Sequence, residues 1–261
     1  MNIVVCVKHV PDAQSDRTFE AGDHTTERDA VDGLLSELDE YAVEEALKIK
    51  EAGQADEVTV LTMGPAKAAD ALKKSLQMGA DKGVHISDEA IAGSDAPATS
   101  LVLAAAIEKL GGADLVLTGM ASTDGTMSVV PAMLAERLGR PQVTFASEVT
   151  LESDTVTIRR DGDVATEVVQ ASLPAVVSVT DQINEPRYPS FKGIMAAKKK
   201  PVETWSLADL GIDPAAVGLD AAWTKVTDVT QRPPRQQGLI VTDDGNGGAV
   251  LAQFLAMQKF V

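Results

Sequence analysis

Asn2-Ile3-Val4-Val5-Cys6-Val7-Lys8 is a continuous, mostly β-branched run, the pattern of a strand buried on both faces. Outward from it, residues 57–62 (Glu-Val-Thr-Val-Leu-Thr) and 114–118 (Asp-Leu-Val-Leu-Thr) repeat that character, and Gly83-Val84-His85-Ile86 is a shorter fourth example. Helical patterns fill the spaces between. Ser36 and Asp39 can form a capping pair, after which Leu38, Ala42, Ala46 and Ile49 mark an apolar face and Gly53 supplies a stop. Glu44 stands four residues before Lys48 on that helix, a favourable spacing. Gly64-Pro65 opens a second helix through Ala69, Leu72 and Leu76, closed by Gly79. A third starts near Asp95-Ala96-Pro97 and runs to Leu110; its stretch Leu101–Ile107 is apolar all round and predicts burial between layers. A fourth has Pro131 in its first turn and Gly139 after its end, the expected asymmetry of helix starts and stops. Alternation of this kind predicts a doubly wound, mostly parallel α/β sheet.

The pattern then changes. Residues 143–151, 155–160 and 164–171 read as short strands with turns at Ser153-Asp154 and Asp161-Gly162-Asp163, an antiparallel extension. Leu173–Val179 reads as a final sheet strand. Beyond residue 181 periodicity fades, except for a C-terminal helix after Gly245–Gly248 with Val250, Leu251, Phe254 and Leu255 on its apolar side. A loosely patterned tail of this length wraps its own domain or a partner. The expected organisation is an α/β domain over 1–180, a loop over 181–200, and a C-terminal arm over 201–261.

Composition narrows the function. The 261 residues hold 39 acidic and 23 basic side chains, a net charge of −16, which argues against a general binder of nucleic acid. One cysteine, Cys6, excludes a disulfide framework or a Cys-rich metal site within this chain. His9, His24 and His85 lie far apart. Only nine aromatic rings are present, and Phe19 and Tyr41 are the only two before residue 145. No apolar stretch approaches the roughly 18 residues of a membrane span, and the N-terminus lacks the basic region of a signal peptide. A soluble cytoplasmic protein is expected.

In doubly wound sheets ligands sit beyond the carboxyl ends of the strands, where strand order reverses. Three loops qualify: the one after Val10-Pro11, Thr62-Met63-Gly64-Pro65, and Gly119–Ser128. The third, rich in small and hydroxyl residues and leading into a helix, suits a phosphate. Ordinary strand-to-helix loops share that composition, so both readings stay open. There is no G-x-G-x-x-G and no Walker lysine, hence no support for hydrolysis. Cys6, inside the first strand, reads as a buried structural thiol. No nucleophile–base pair is evident.

The most unusual segment is 181–200, Asp-Gln-Ile-Asn-Glu-Pro-Arg-Tyr-Pro-Ser-Phe-Lys-Gly-Ile-Met-Ala-Ala-Lys-Lys-Lys. Five basic against two acidic side chains give it +3, leaving −19 on the rest. Tyr188, Phe191, Ile194 and Met195 beside Arg187, Lys192 and Lys198–Lys200 have the composition of a protein-docking patch. A solvated basic run after a packed turn is the plainer alternative, and the composition favours docking over it.

Asn184–Lys200 resembles the partner-recognition loop of the electron transfer flavoprotein β subunit. The resemblance covers nearly the whole chain in order. Val7-Lys8-His9-Val10-Pro11-Asp12 is similar to the family's opening, and Asp39–Leu47 to its first-helix motif. Gly64-Pro65-Ala66 and Met78–Asp81 are similar to its second unit, and Ile158–Gly162 through Leu173–Val176 to its signature. It implies a Rossmann-like domain whose heterodimer with an α subunit carries one FAD, held mainly by the α chain. Such a heterodimer takes electrons from flavin dehydrogenases, such as the acyl-CoA dehydrogenases of fatty acid oxidation, and passes them to a membrane quinone oxidoreductase.

The resemblance further implies a structural AMP in this chain. Its contacts would come from Cys6, Ser36, Leu38, Asp39 and Met63, and from the loop Ser122, Thr123, Asp124, Gly125, Thr126, Met127, Ser128, Val129 and Val130. For partner docking it implies Glu185, Arg187, Tyr188, Phe191, Lys192, Ile194 and Met195, with Phe191 in the place of an anchoring leucine. One departure stands out: the family's third loop carries more acidic and amide residues and then Gln, and here 123–131 has no Gln. An electron-bifurcating β subunit with a second FAD in this pocket is therefore an alternative. A nucleotide-binding module of the stress-protein kind is another, which leaves the loop and tail unexplained.

Overall fold

Strands that are apolar on both faces need cover on both, and the chain supplies it with helices above and below one parallel sheet. The structure is a computed structural model describing residues 1–238 and 240–261; Leu239, within the expected arm, lies outside the described residues. The strands are β1 (Asn2–Cys6), β2 (His9–Pro11), β3 (Gly33–Leu35), β4 (Glu57–Met63), β5 (Lys82–Ile86) and β6 (Leu115–Gly119). They continue with β7 (Gln142–Ala146), β8 (Glu148–Glu152), β9 (Thr155–Asp161), β10 (Thr166–Ser172), β11 (Ala175–Val179) and β12 (Val202–Trp205). The main sheet has the order β12-β5-β4-β1-β6-β11-β7, and every neighbouring pair is parallel. The α/β doubly wound expectation holds.

Period-two alternation divides each strand between two cores. Ile3, Val5, Leu115, Leu117, Ala175 and Val177 face the helices α1 (Glu37–Glu51) and α2 (Ala69–Met78). Val4, Val116 and Val176 face α3 (Ala96–Lys109) and α4 (Val130–Leu138). Val102, Ala106 and Ile107 of α3 are fully buried, as its apolar stretch predicts, and each large side chain contributes about 1.5–3 kcal/mol by leaving water. Asp95 caps α3 by accepting from Ala98 N, and Gly139 ends α4 in the left-handed region.

Four details differ from the sequence expectation. The first strand stops at Cys6: Val7 N still bonds Leu61 O at 2.8 Å, and the chain then turns into β2, which pairs antiparallel with β3. The expected strand 143–151 is two strands, because Phe145 takes a φ of 62° and the chain changes sheets. β7 joins the parallel sheet, whereas β8 enters an antiparallel three-stranded sheet with β9 and β10. The basic segment contains a helix, α5 (Phe191–Ala197), capped by Ser190 Oγ accepting from Gly193 N. Finally, β12 was not foreseen; it adds to the edge of the sheet beside β5, and Trp205 is buried there.

The chain divides into two compact units, Met1–Thr227 and Asp228–Val261. Residues 201–227, expected to begin the arm, thus belong with the first unit and include the four-residue helix α6 (Gly218–Ala221). The second unit contains the C-terminal helix α7 (Gly247–Met257), whose Leu251, Phe254 and Met257 are exposed. Among the described residues no helix is long and apolar enough to cross a membrane.

Candidate functional site

The chain runs β1, β4, β5 to one side and then returns to place β6 on the other side of β1. Strand order therefore reverses between β1 and β6, and the crevice beyond their carboxyl ends is the expected binding position. Cys6 and Lys8 lie at the end of β1, Thr62 and Met63 at the end of β4, and Gly119 at the end of β6. The start of α1 comes to the same place, since Ser36 N bonds Lys8 O at 2.8 Å.

Asp39 ties these ends together. Its Oδ2 accepts from Lys8 N at 2.8 Å and its Oδ1 from Gly119 N at 3.3 Å. The capping pair read from sequence is not formed: Ser36 occupies the N-cap position of α1, but its hydroxyl makes no cap bond. The reason is that Asp39 is turned away from the helix start toward two strand-end amides. Burial pushes the Asp39 carboxyl up to about 7, against the pull of those two N–H groups and of the Lys8 ammonium. The close approach explains Gly119, because a Cβ there would lie 2.7 Å from both Asp39 Oδ1 and Leu38 O.

The second carboxylate has the opposite environment. Asp124 receives Lys8 Nζ at 2.9 Å on Oδ1 and Arg28 Nη2 at 2.9 Å on Oδ2. Arg17 Nη1 donates to its backbone oxygen at 3.1 Å, and Arg17 also bonds Thr123 O. Despite its burial, the Lys8 ammonium and Arg28 guanidinium hold the Asp124 carboxyl well below the usual carboxylate range. Two cations thus meet one buried carboxylate, and a third, Arg17, is held beside it by the backbone carbonyls of Thr123 and Asp124. Around it the loop bends sharply: Thr126 and Ser128 have φ of 50° and 57°, and the first turn of α4 has no side-chain cap.

Within this crevice several buried polar atoms have no partner among the described residues: Ser36 Oγ, Thr62 Oγ1, Thr123 Oγ1 and Arg28 Nη1. An orphaned buried donor or acceptor costs about 1–3 kcal/mol, so four on the elements that meet at these strand ends call for an explanation. Cys6 and Met63 are partly exposed at the same edge and pack back on the core. Burial, with Asp39 nearby, raises the Cys6 thiol to about 12, so it stays protonated.

The structure therefore brings together Cys6, Ser36, Leu38, Asp39, Met63 and the loop from Ser122. Asp39 and Asp124 have their carboxylates committed within the protein; Ser36 and Thr123 do not. Sequence reading named the loops that begin at Thr62 and Gly119 but missed Lys8, Arg17 and Arg28 as parts of the site. Lys8 stood in the motif after β1, but Arg17 and Arg28 lie in the irregular segment 12–32, which carries no periodic signal.

The residues expected to dock a partner lie on a different part of the chain, after β11. Tyr188 and Phe191 are 91% and 80% exposed, and Met195 is exposed on the same short helix. Glu185 and Lys192 are exposed. Arg187 is different: its guanidinium points back onto Glu44 and Glu51 of α1.

A family model described as electron transfer flavoprotein domain matches residues 24–210. Electron transfer flavoprotein subunit beta of Mycobacterium tuberculosis is 47% identical over 264 aligned residues, covering all of this chain and 99% of that protein. The subunit of the same name from Megasphaera elsdenii is 35% identical, covering 100% and 98%. Caffeyl-CoA reductase-Etf complex subunit CarD of Acetobacterium woodii is 37% identical, covering 93% and 92%. With a family model spanning most of the chain and β subunits aligned along its full length, this chain belongs to the electron transfer flavoprotein family, as a β subunit.

Proposed function

We propose that this chain is the β half of an electron-carrying heterodimer, binding AMP in the crevice between β1 and β6. The observation that carries the nucleotide reading is the set of buried, unpartnered polar atoms there, beside Lys8 and Arg28 on the Asp124 carboxylate and Arg17 on the backbone of the same loop. The residues fit the ligand. Hydroxyls of Ser36, Thr62 and Thr123 and the Arg28 guanidinium suit ribose and phosphate oxygens, and the amides of the bent loop 122–129 suit a phosphate. Cys6 and Met63 offer apolar surface to a base. AMP would act as structural support, filling the hydrogen bonds that the strand ends and α1 leave open.

FAD is assigned to the heterodimer and mainly to the α subunit, since a β subunit of this family implies that partner. Electrons would arrive from flavin dehydrogenases of the acyl-CoA type and leave to a membrane quinone oxidoreductase. Residues 184–197 would dock the dehydrogenase, with Phe191 as anchor, and the arm would contact the α subunit through its exposed α7. The family match reaches through the docking loop and β12, the regions a stress-protein-like module leaves unexplained.

Co-expression with the α subunit, followed by extraction and mass spectrometry of the bound ligands, tests this directly. One FAD and one AMP per heterodimer are expected. Two FAD and no AMP would replace the AMP assignment with the electron-bifurcating reading.

A further inference from the structure

Exposed apolar side chains such as Tyr188 and Phe191 serve docking well only if the segment that carries them is already ordered. Otherwise binding must first freeze it, and apparent affinity falls by the fraction of time the competent form is absent. Residues 184–200 have little core of their own: α5 has seven residues, none buried. Their order must come from elsewhere.

It comes from α1 and α2. Arg187 Nε donates to Glu44 Oε2 at 2.7 Å and Nη2 to Glu44 Oε1 at 2.9 Å, a two-pronged pairing. The Arg187 backbone N–H adds a third bond to Glu44 Oε2 at 3.1 Å. The same guanidinium reaches Glu51 through Nη1 at 2.5 Å and Nη2 at 3.0 Å. Glu44 is buried, so this is not the screened, freely exposed ion pair that contributes almost nothing. Removing Arg187 would leave the Glu44 charge in a buried position without its partner.

Three further ties act along the segment. Asn184 Nδ2 donates to Tyr41 O at 3.1 Å and to Glu45 Oε2 at 3.0 Å. Gly193 packs so closely on α2 that a Cβ would collide with the Gln77 carbonyl oxygen. Lys200 Nζ donates to Leu76 O at 2.9 Å. Arg187 is the only one of the four whose side chain joins the segment to two carboxylates, and it lies immediately before Tyr188.

We propose that Arg187 is a positioning residue, clamping residues 188–197 onto α1 so that Tyr188 and Phe191 are presented in one conformation before a partner arrives. The inference rests on the docking reading above and reassigns Arg187 within it, from a contact with the partner to a support for the contacts. Arg suits the task better than Lys because its planar fork can engage both carboxylates at once.

The test uses the heterodimer with its α subunit, in wild-type form and as Arg187→Ala, Arg187→Lys, Glu51→Gln and Phe191→Ala. Two readouts are compared. One is amide hydrogen exchange across 188–198; the other is flavin reduction by a purified acyl-CoA dehydrogenase and its acyl-CoA, with the heterodimer as varied substrate. For Arg187→Ala the expected result is exchange at least about tenfold faster and KM raised about tenfold, with kcat within about twofold and FAD content unchanged. Arg187→Lys and Glu51→Gln should fall between it and wild type, in the same order for both readouts. Glu51→Gln leaves no buried charge unpaired, so it reports even if Arg187→Ala fails to assemble.

Unchanged exchange in the Arg187 and Glu51 variants would overturn the clamp. A raised KM with unchanged exchange would also overturn it, since Arg187 would then be touching the partner itself. If Phe191→Ala leaves KM unchanged, the docking reading falls and takes the proposal with it, whatever the exchange data show.

Discussion

Replacing Asp39 with asparagine should remove a specific pH dependence of stability. Asp39 is 6% exposed, and its carboxylate accepts two backbone N–H groups, from Lys8 and Gly119. Burial raises its carboxyl to about 7, roughly three units above the ordinary aspartate value near 4. A raised acid binds its proton more tightly in the folded state than in the unfolded chain. Its contribution is therefore complete below about pH 4, declines as pH rises toward 7, and is flat above that. At 1.36 kcal/mol per unit, the whole window amounts to about 4 kcal/mol, and the part between pH 5.5 and 8.5 to about 2 kcal/mol. The amide of Asp39→Asn cannot titrate, and it turns a donor toward one of the two N–H groups, which costs about 1–3 kcal/mol. The variant should be less stable at pH 5.5 and should approach or overtake wild type by pH 8.5. Urea unfolding followed by fluorescence of the buried Trp205 measures both curves. A stability difference that stays constant or widens with rising pH would refute the reasoning, because the two N–H bonds would then outweigh burial and keep Asp39 ionised throughout.

Two further substitutions probe the same crevice. An ordinary N-cap serine loses about 1 kcal/mol on replacement by Ala, but Ser36 makes no cap bond and its Oγ is an orphan among the described residues. Ser36→Ala removes that orphan and should raise ligand-free stability by up to about 1–3 kcal/mol while weakening AMP binding by about fivefold, the value of one neutral hydrogen bond; urea midpoints and calorimetric titration check the two halves. Gly119→Ala forces a methyl group to 2.7 Å from Asp39 Oδ1 and Leu38 O, an overpacking cost of about 1–3 kcal/mol. Its thermal midpoint should fall and AMP should no longer co-purify. An unchanged midpoint would mean that α1 and the end of β6 part easily.

The core was legible from the first strand because burial on both faces writes itself as a continuous apolar run. Ile3, Val5 and Val7 serve one helix layer, Val4 the other, and no polar position interrupts them. Helix ends marked by Asp95, Gly79 and Gly139 were legible for the same local reason. What could not be read was anything set by partners distant in sequence. Ser36 and Asp39 have capping spacing, yet the Asp39 carboxylate is claimed by amides at positions 8 and 119. The strand over 143–151 alternates smoothly, and only competition between two sheets decides that it breaks after Ala146. β12 is four residues long with one buried side chain, too short to announce a period. Arg17 and Arg28 were invisible because their role is defined by Asp124, about a hundred residues away.

That long-range arrangement also bears on what the crevice can do. A site built for chemistry sets neighbouring titratable groups at different protonation states and leaves them free to exchange protons with a substrate. Here the first condition is met: burial lifts Asp39 toward 7 while cations hold Asp124 far below it. The second is not. Asp124 is enclosed by Lys8 and Arg28, Asp39 is fastened to two backbone amides, and the Cys6 thiol is pushed up to about 12. The polar atoms named above without partners at these strand ends are hydroxyls and a guanidinium, which bind oxygen-rich ligands and do not take up protons near neutral pH. The geometry is therefore one of retention. If, as proposed, the flavin lies mainly in a partner chain, a firmly held nucleotide would stiffen the sheet from which that partner and the docking segment are positioned. Losing AMP should then loosen α1 first, and through Glu44 and Arg187 the docking helix after it. Amide exchange at 188–198 in heterodimer stripped of nucleotide measures this coupling, and protection equal to that of the AMP-bound form would show that the two sites are independent.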